Sequence, residues 1–199
     1  MATPPSEADK MRAGEWYLSP DAEILALQAR ARAITLAMNG PQGADPQQRM
    51  ALLKSLIKHL GTNSWVETPF HAELGVHIEI GSFSFLNFGC VLLDSAPIRI
   101  GDRVAIGPNV QMYTPTHPLR FAERARNDAD GNPVLGAVTR ALPIEIGDGC
   151  WIGGGAIILP GVTIGPRTTI GAGSVVTQSV PADVFAAGNP CRVIRPLAP

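Results

Sequence analysis

Residues 146–176 read IGDGCWIGGGAIILPGVTIGPRTTIGAGSVV, and an aliphatic side chain recurs there at every sixth position. These residues are Ile146, Ile152, Ile158, Ile164, Ile170 and Val176. Neither the helical period of about 3.6 nor the strand period of about 2 produces this spacing. A chain that turns a corner every six residues does, because each aliphatic side chain then points inward and stacks on its copy in the next coil. The stretch predicts a parallel β-helix built from hexapeptide repeats.

A weaker form of the same period occurs earlier in the chain. Its inward positions are Ile80, Leu86, Leu92, Ile100, Ile106 and Met112. The period is lost between Tyr113 and Pro143, which predicts an extended loop out of the coil over residues 113–143. Loops of this length are usually functional or disordered. We therefore predict a mainly β fold, with the β-helix over residues 62–180 and a C-terminal exit segment, residues 181–199, that folds back over the last coil.

Residues 1–61 predict a small N-terminal α-helical cap. Ser6, Ser19 and Asp45 are suited to begin three helices, and Pro20 follows Ser19 at the first helical position. The apolar stripes of these helices need cover, and the open first coil needs protection against edge pairing. A helical cap packed on the coil meets both needs.

The composition limits the classes of function. The 199 residues carry a formal net charge of -1, which argues against bulk electrostatic binding of nucleic acid or of an anionic membrane. No apolar run is long enough for a transmembrane helix, and the N-terminus lacks the pattern of a signal peptide. The three cysteines are too few and too scattered for a disulfide framework, so we expect buried thiols in a cytoplasmic protein.

Several motifs outside the bare hexads make the pattern more specific. They are residues 11–17 (MRAGEWY), Asn87-Phe88, residues 116–119 (THPL), residues 158–165 (ILPGVTIG) and residues 187–190 (AGNP). With these motifs, the hexads and the helical cap, the chain resembles the maltose and galactoside O-acetyltransferases, within the hexapeptide acyltransferases. The resemblance implies a left-handed coil and a homotrimer with active sites between subunits. It also implies acetyl-coenzyme A as a co-substrate, a small-molecule acceptor, no permanently bound cofactor and no metal.

The resemblance assigns the general base to His117, which stands where the chain leaves the coil. A hydroxyl group is too weak an acid to ionise alone, and histidine, with an ordinary pKa of about 6.5, can take its proton near neutral pH. A lone loop histidine is more often an ordinary surface residue, but the surrounding motif favours catalysis. Asn87 is expected to contact substrate and to support the developing oxyanion, and its alternative is a corner asparagine.

Acceptor binding is predicted by the same resemblance at Glu73, Asn87, Asp94 and Ser95. A carboxylate at Glu73 can accept hydrogen bonds from sugar hydroxyls, where the galactoside branch has serine. Ser95 stands where the family has a second acidic residue, so the particular sugar is left open. The loop after His117, residues 119–142, looks about ten residues longer than the family usually shows, a length typical of lids and of disordered insertions. We expect it to reshape the acceptor pocket, and an insertion without a role is the alternative.

Coenzyme A offers an amide-rich pantetheine arm and phosphates to a binding site. The resemblance places it against Gly107, Trp151, Gly154, Ala172, Thr177, Gln178, Arg192 and Arg195. Guanidinium groups such as those of Arg192 and Arg195 suit phosphates, and the alternative for each is a solvated charge in the tail. The backbone N–H of Gly154 is expected to share the oxyanion with Asn87.

Four functions are compatible with these patterns. The first is an acetyl-coenzyme A-dependent O-acetyltransferase for a sugar or glycoside. The second acetylates another hydroxyl or amine acceptor, such as a nodulation-type oligosaccharide or a xenobiotic. The third is a metal lyase of the γ-type carbonic anhydrase kind, which shares the coil but needs three zinc-binding histidines, and only His117 lies in the right region. The fourth is a non-catalytic trimeric scaffold, which the joint presence of Asn87 and His117 disfavours.

Overall fold

The computed structural model describes residues 4–127, 130–132 and 136–198. Most of these residues form a parallel β-helix with three sheets, and helices cover its N-terminal end. In chain order the elements are α1 (Glu7–Arg12), β1 (Tyr17–Ser19), α2 (Ala22–Asn39), a 3-10 turn (Pro41–Ala44), α3 (Pro46–Leu56), β2 (His59–Leu60), β3 (Trp65–Val66), β4 (Phe70–Ala72), β5 (Ile78–Ile80), β6 (Phe85–Leu86), β7 (Cys90–Leu93), β8 (Ile98–Ile100), β9 (Ala105–Ile106), β10 (Gln111–Tyr113), β11 (Pro115–Thr116), α4 (Phe121–Arg124), β12 (Ala137–Ala141), β13 (Ile144–Ile146), β14 (Trp151–Ile152), β15 (Ile157–Ile158), β16 (Thr163–Ile164), β17 (Thr169–Ile170), β18 (Val175–Val176), β19 (Val184–Ala187) and β20 (Arg192–Pro196).

The strands of the coil stack in register in three parallel sheets. The first sheet runs β2–β5–β8–β13–β16, the second β3–β6–β9–β14–β17–β19, and the third β4–β7–β10–β15–β18. Ile152, for example, pairs with Ile106 on one side and Ile170 on the other, and none of the three is more than 1% exposed. The hexad positions therefore form inward ladders, as predicted. Burial of each isoleucine contributes about 1.5–3 kcal/mol to stability.

The corners between sheets are held by close backbone contacts and by side-chain acceptors. A Cβ on Gly107 would lie 2.5 Å from the backbone nitrogen of Gly154 in the next coil, so only glycine fits there. At another corner, the N–H of Ser82 donates to Asp102 Oδ1 at 2.7 Å, and the N–H of Asp102 donates to Asp148 Oδ1 at 2.9 Å. These aspartates satisfy backbone N–H groups at the turns, one coil after another.

The N-terminal helices cover the first coil. The side-chain amide of Asn39, at the end of α2, donates to the carbonyl of Phe70 in β4 and accepts from its N–H, each at 2.9 Å. This amide takes the place of a neighbouring strand at the free edge of the third sheet. Ser6 caps α1, with Asp9 completing the capping box, as predicted. None of the described helices has the length and apolar character that crossing a membrane requires.

The predicted cap of α2 at Ser19 is wrong, because Asp21 accepts the N-terminal hydrogen bonds of this helix. Ser19 instead ends β1, which pairs antiparallel with β12, and β12 also pairs with β11. The chain leaves the coil after Tyr113, the last residue of β10, and returns to it at β13, so the predicted loop begins one residue later than expected. The strands β11 and β12 on the two sides of this loop belong to a small three-stranded sheet. Part of the loop tip, residues 128, 129 and 133–135, lies outside the described residues.

The coil extends past both predicted boundaries. It begins with β2, which pairs with β5, and so starts before residue 62. At the other end β19 pairs with β17 and continues the second sheet beyond residue 180. β20 then folds back antiparallel on β19, which agrees with the expected course of the exit segment.

Candidate active site

His117 stands directly after β11, and its ring is exposed. Its Nδ1 lies 2.9 Å from the carbonyl oxygen of Val138 and 3.4 Å from the hydroxyl oxygen of Thr139. A carbonyl only accepts hydrogen bonds, so Nδ1 carries the proton and donates it to Val138. The neutral ring therefore has its lone pair on Nε2, which is the arrangement that a general base requires.

One face of the small sheet borders a cavity of about 450 Å³, which we call the polar pocket. His117, Glu73 and Ser95 all line it, so the fold brings the candidate base and two candidate acceptor residues together. Other parts of its wall come from distant segments of the chain, through Tyr17, Gln28, Gly136, Ala137 and Thr139. Because Gly136 and Ala137 belong to the long loop, this loop supplies part of the pocket.

Glu73 is half-buried in the wall of the polar pocket. Its Oε2 accepts a hydrogen bond from Ser95 Oγ at 2.7 Å, and its Oε1 accepts one from Gln28 Nε2 at 3.3 Å. Burial, with a smaller contribution from the nearby charge of Asp94, raises the pKa of Glu73. The remaining lone pairs of the carboxylate can accept hydrogen bonds from a molecule in the pocket.

Asp94 was predicted to contact the acceptor, but it is buried behind the wall of the polar pocket and does not line it. Its carboxylate is fully buried and accepts three backbone hydrogen bonds, from Leu74 (2.8 Å), Gly75 (3.0 Å) and His77 (3.1 Å). The predicted contact between Asp94 and the acceptor is therefore replaced by a positioning role. The turn after Glu73 has N–H groups that need an acceptor, and this buried carboxylate supplies it.

Asn87 and the predicted coenzyme A residues lie on other parts of the coil. The edge between the second and third sheets, which we call the Asn87 edge, carries Asn87, Gly107, Gly154 and Ala172. There the N–H of Phe88 donates to Asn87 Oδ1 at 2.8 Å. The edge between the third and first sheets, the His117 edge, carries the polar pocket together with Thr177 and Gln178. One chain thus divides the predicted site between two edges.

The remaining predicted coenzyme A residues lie on the second sheet. Trp151 points outward from β14 and is 58% exposed. Arg192 and Arg195 lie on the exposed strand β20 at the end of this sheet, and the Arg195 guanidinium lies 6.0 Å from the ring centroid of Phe185. None of these three residues lines either of the two pockets described here that His117 borders.

The opposite face of the small sheet borders a second cavity, of about 730 Å³, which we call the apolar pocket. Trp16, Val138 and Leu119 line it together with His117, and Arg120 and Glu123 add two charged side chains. Successive side chains of a strand point to opposite faces, which is why Val138 faces this pocket while its neighbour Thr139 faces the other. His117 can therefore be approached from both faces of the sheet.

Gln28 and Thr139 line the polar pocket but were not among the predicted site residues. Gln28 had a usable signal, because it lies four residues after the buried Ile24 on α2 and so interrupts the buried face with an amide. Thr139 had none, because its position depends on the pairing of β12 with a strand at the other end of the chain. No sequence pattern indicates the contact of His117 with the carbonyl of Val138, which fixes the His117 tautomer.

Comparison with known proteins identifies the family to which the chain belongs. The profile "Bacterial transferase hexapeptide (six repeats)" matches residues 143–178, and the "Maltose acetyltransferase hexapeptide capping motif" matches residues 10–61. Nodulation protein L of Rhizobium meliloti (strain 1021) is 42% identical over 188 residues, 94% of this chain and 97% of that protein. Galactoside O-acetyltransferase of Escherichia coli (strain K12) is 34% identical over 187 residues, with 94% and 87% covered.

A solved structure agrees with these sequence matches. A hexapeptide-repeat containing acetyltransferase from Vibrio cholerae O1 biovar eltor, complexed with acetyl-coenzyme A, has a TM-score of 0.84 and 42% identity, and the match covers 98% of this chain and 100% of that one. The chain belongs to the maltose and galactoside O-acetyltransferase family of hexapeptide acyltransferases. The predicted fold class, a mainly β chain with a left-handed parallel β-helix and a helical cap, is confirmed, as is the prediction of an acyltransferase.

The metal-lyase alternative gains no support from the structure. In the parts of the chain that the structure describes, no group of three His, Cys, Asp or Glu side chains is placed to hold a metal ion. Family membership likewise favours acetyl transfer over a lyase.

Proposed function

We propose that the protein transfers the acetyl group of acetyl-coenzyme A to a hydroxyl of a sugar or glycoside, with His117 as the general base. The observation that carries this proposal is the contact of His117 Nδ1 with the carbonyl of Val138, at a pocket that also contains Glu73 and Ser95. Within the described parts of the chain no hydrogen bond engages Nε2, so it can take a hydroxyl proton beside groups that can bind other hydroxyls of the same molecule. The acetyl-coenzyme A bound to the Vibrio cholerae relative supports the choice of donor.

The reaction is a direct attack on the thioester. The acceptor oxygen attacks the carbonyl carbon while its proton passes to His117 Nε2. The C–S bond then breaks, and the imidazolium returns the proton to the departing thiolate. General base catalysis of this kind contributes about 10²–10⁴-fold to the rate. A covalent acetyl-cysteine route is disfavoured, because all three cysteines are buried and burial raises the pKa of the Cys90 thiol to about 11.

We propose that a second copy of the chain completes this site in a homotrimer. The Asn87 amide and the Gly154 backbone N–H, the candidate oxyanion donors, lie on the Asn87 edge, whereas His117 lies on another edge. A trimer in which the Asn87 edge of one subunit faces the His117 edge of the next brings the two halves together. Coenzyme A would then extend between subunits along the coils, with Trp151 beside it and Arg192 and Arg195 at its phosphates.

The apolar pocket favours a second candidate function, acetylation of a non-sugar hydroxyl or amine acceptor. Trp16 and Val138 give this cavity an apolar wall next to His117, and Leu119 at its rim is 93% exposed. An aromatic or aliphatic acceptor of the xenobiotic type would bury more apolar surface there than a free sugar can.

A coenzyme A release assay over sugars, glycosides and apolar alcohols tests the proposed function. We expect a sugar or glycoside to stimulate release, and His117→Ala to lower kcat by about 10²–10⁴-fold. His59→Ala is the matched control, because His59 is also exposed but lies on the first sheet, away from both pockets. Turnover that His117→Ala leaves intact would exclude this histidine as the base. Stimulation by apolar alcohols alone would establish the second candidate instead.

Subunit mixing tests the shared site. His117→Ala and Asn87→Ala are each expected to be nearly inactive when they form separate trimers. After the two are unfolded and refolded together, some mixed trimers contain an intact His117 facing an intact Asn87, so activity returns. If the mixture stays as inactive as its components while wild-type protein treated in the same way recovers, the site is not built between subunits.

A further inference from the structure

Among the described residues, the carboxylate of Glu73 has no cationic partner at ion-pair distance. Its two hydrogen-bond donors, Ser95 Oγ and Gln28 Nε2, are both neutral. Within the described residues, no lysine, arginine or histidine nitrogen lies within 4.0 Å of it. Carboxylates that lose much of their hydration are normally paired with a cation, so an unpaired one in a pocket wall needs an explanation.

Among the described residues, the surroundings of Glu73 supply no close countercharge. Asp94, behind it, adds a second negative charge, and its own oxygens are occupied by backbone N–H groups. The charge of His77 lowers the pKa of Glu73, but this effect is smaller than that of burial, and the Nδ1 of His77 lies 2.7 Å from the carbonyl oxygen of Asp94 and forms no ion pair with Glu73. Arg32 and His71 border an adjoining cavity of about 310 Å³ that Glu73 also lines, and both are exposed and form no ion pair with it. Of the described residues that line the polar pocket, Glu73 is the one carboxylate, and none is a lysine or an arginine.

We propose that Glu73 binds a protonated amine of the acceptor, so that the preferred substrates are amino sugars that carry a free ammonium group and are acetylated on a hydroxyl. This inference rests on the proposed function and specifies its acceptor. The ammonium supplies a positive charge beside the Glu73 carboxylate, and it donates hydrogen bonds to the carboxylate lone pairs that Ser95 and Gln28 do not use.

The same contact decides which acceptor atom reacts. An amine held as ammonium by Glu73 has no lone pair, so it cannot attack the thioester. A hydroxyl of the same sugar that reaches His117 gives up its proton to Nε2, forms the new C–O bond and releases coenzyme A as the C–S bond breaks. The product is an ester beside a free amine, not an amide.

Acceptor kinetics with glucosamine, glucose and N-acetylglucosamine test this proposal. The last of these keeps the nitrogen but not its charge. We expect kcat/KM for glucosamine to exceed that for each of the other two by about 10- to 100-fold, the usual range for a hydrogen bond to a charged group. Glu73→Gln, which keeps the shape of the side chain but removes its charge, should bring the glucosamine-to-glucose ratio near one. Arg32→Gln is the matched control and should keep the wild-type ratio.

Each outcome bears on one proposal or on both. A wild-type ratio near one, or an unchanged ratio in Glu73→Gln, with turnover that still depends on His117, would overturn the amine proposal and leave the acetyltransferase proposal standing. A product that resists hydroxylamine, and is therefore an amide, would overturn the ammonium contact. If no acceptor is turned over, the proposed function fails. In that case, a calorimetric titration of glucosamine into folded wild-type protein and into folded Glu73→Gln protein decides whether Glu73 binds the amine.

Discussion

Replacing Asp94 with asparagine tests how the polar pocket is held in shape. In the wild type, Oδ1 accepts from Leu74 and Gly75, and Oδ2 accepts from His77. Asparagine has one acceptor oxygen, so at least one of the three N–H groups will face an NH₂ group instead. The loss of one charge-assisted hydrogen bond, about 1.5–3 kcal/mol, adds to the cost of a buried unpaired donor, about 1–3 kcal/mol. We expect Asp94→Asn to lower the free energy of unfolding by about 3 kcal/mol.

Asp102→Asn is the matched control for this change. Asp102 is exposed and accepts one backbone hydrogen bond, from Ser82, where water can replace a lost partner. We expect a cost below about 1 kcal/mol there. For a chain of this length each kcal/mol corresponds to about 2–4 °C in Tm, so Asp94→Asn should melt about 6–12 °C lower and Asp102→Asn within about 4 °C of the wild type.

The same variant has a kinetic signature. Leu74 and Gly75 directly follow Glu73, so a looser turn misplaces the Glu73 carboxylate in the polar pocket, where we propose that the acceptor binds. We expect Asp94→Asn to raise the KM for the acceptor at a temperature where it is folded, with little change in the KM for acetyl-coenzyme A. Equal destabilisation by Asp94→Asn and Asp102→Asn would refute the role of burial. An unchanged acceptor KM would refute the link from Asp94 to Glu73.

Three further changes have outcomes that the structure predicts. Burial raises the pKa of Glu73 in the folded protein. The contribution of Glu73 to stability is therefore largest below its unfolded pKa, and it falls as the pH rises through its folded pKa. In thermal melts, the Tm of Glu73→Gln relative to the wild type should accordingly rise from about pH 4 to about pH 7. Gly107→Ala, whose Cβ meets the backbone of Gly154, should cost about 3 kcal/mol in denaturant unfolding, against about 1 kcal/mol for Gly173→Ala, which has a φ of +69° but open space. Cys90 should resist a thiol-specific reagent at neutral pH until the protein is unfolded, because its thiol is buried with a pKa of about 11.

The coil could be predicted because its cause is local and repeated. Each inward residue, such as Ile152, stacks on residues that the same six-residue period places above and below it, so the pattern can be seen in a single sequence. The small sheet could not be predicted, because β1 and β12 lie far apart in the sequence and no local pattern indicates that they pair. Ser19 shows the consequence. Next to Pro20 it has a good helix-capping sequence, yet pairing with Ala137 makes it the end of a strand.

For the candidate site, the sequence indicated residue types but not their contacts. His117 was found through the motif around it, whereas its protonated nitrogen depends on a carbonyl from β12. Asp94 shows the limit of an argument from side-chain chemistry. A carboxylate near a predicted acceptor pocket suggests a ligand contact, but three backbone N–H groups of the neighbouring turn already donate hydrogen bonds to this carboxylate.

The division of the site between two edges follows from the repeat itself. A coil that turns every six residues fixes the direction in which each position points, so Asn87 and Gly154 must share one edge and cannot reach another. His117 comes from a loop, but that loop leaves the coil after β10, at the end of the third sheet, and β11 and β12 hold it there. No rearrangement within one rigid prism joins the two groups, whereas a neighbouring copy can place its Asn87 edge against the polar pocket. The six-residue repeat, which makes the coil predictable from sequence, is therefore also the physical reason for proposing that catalysis requires more than one chain.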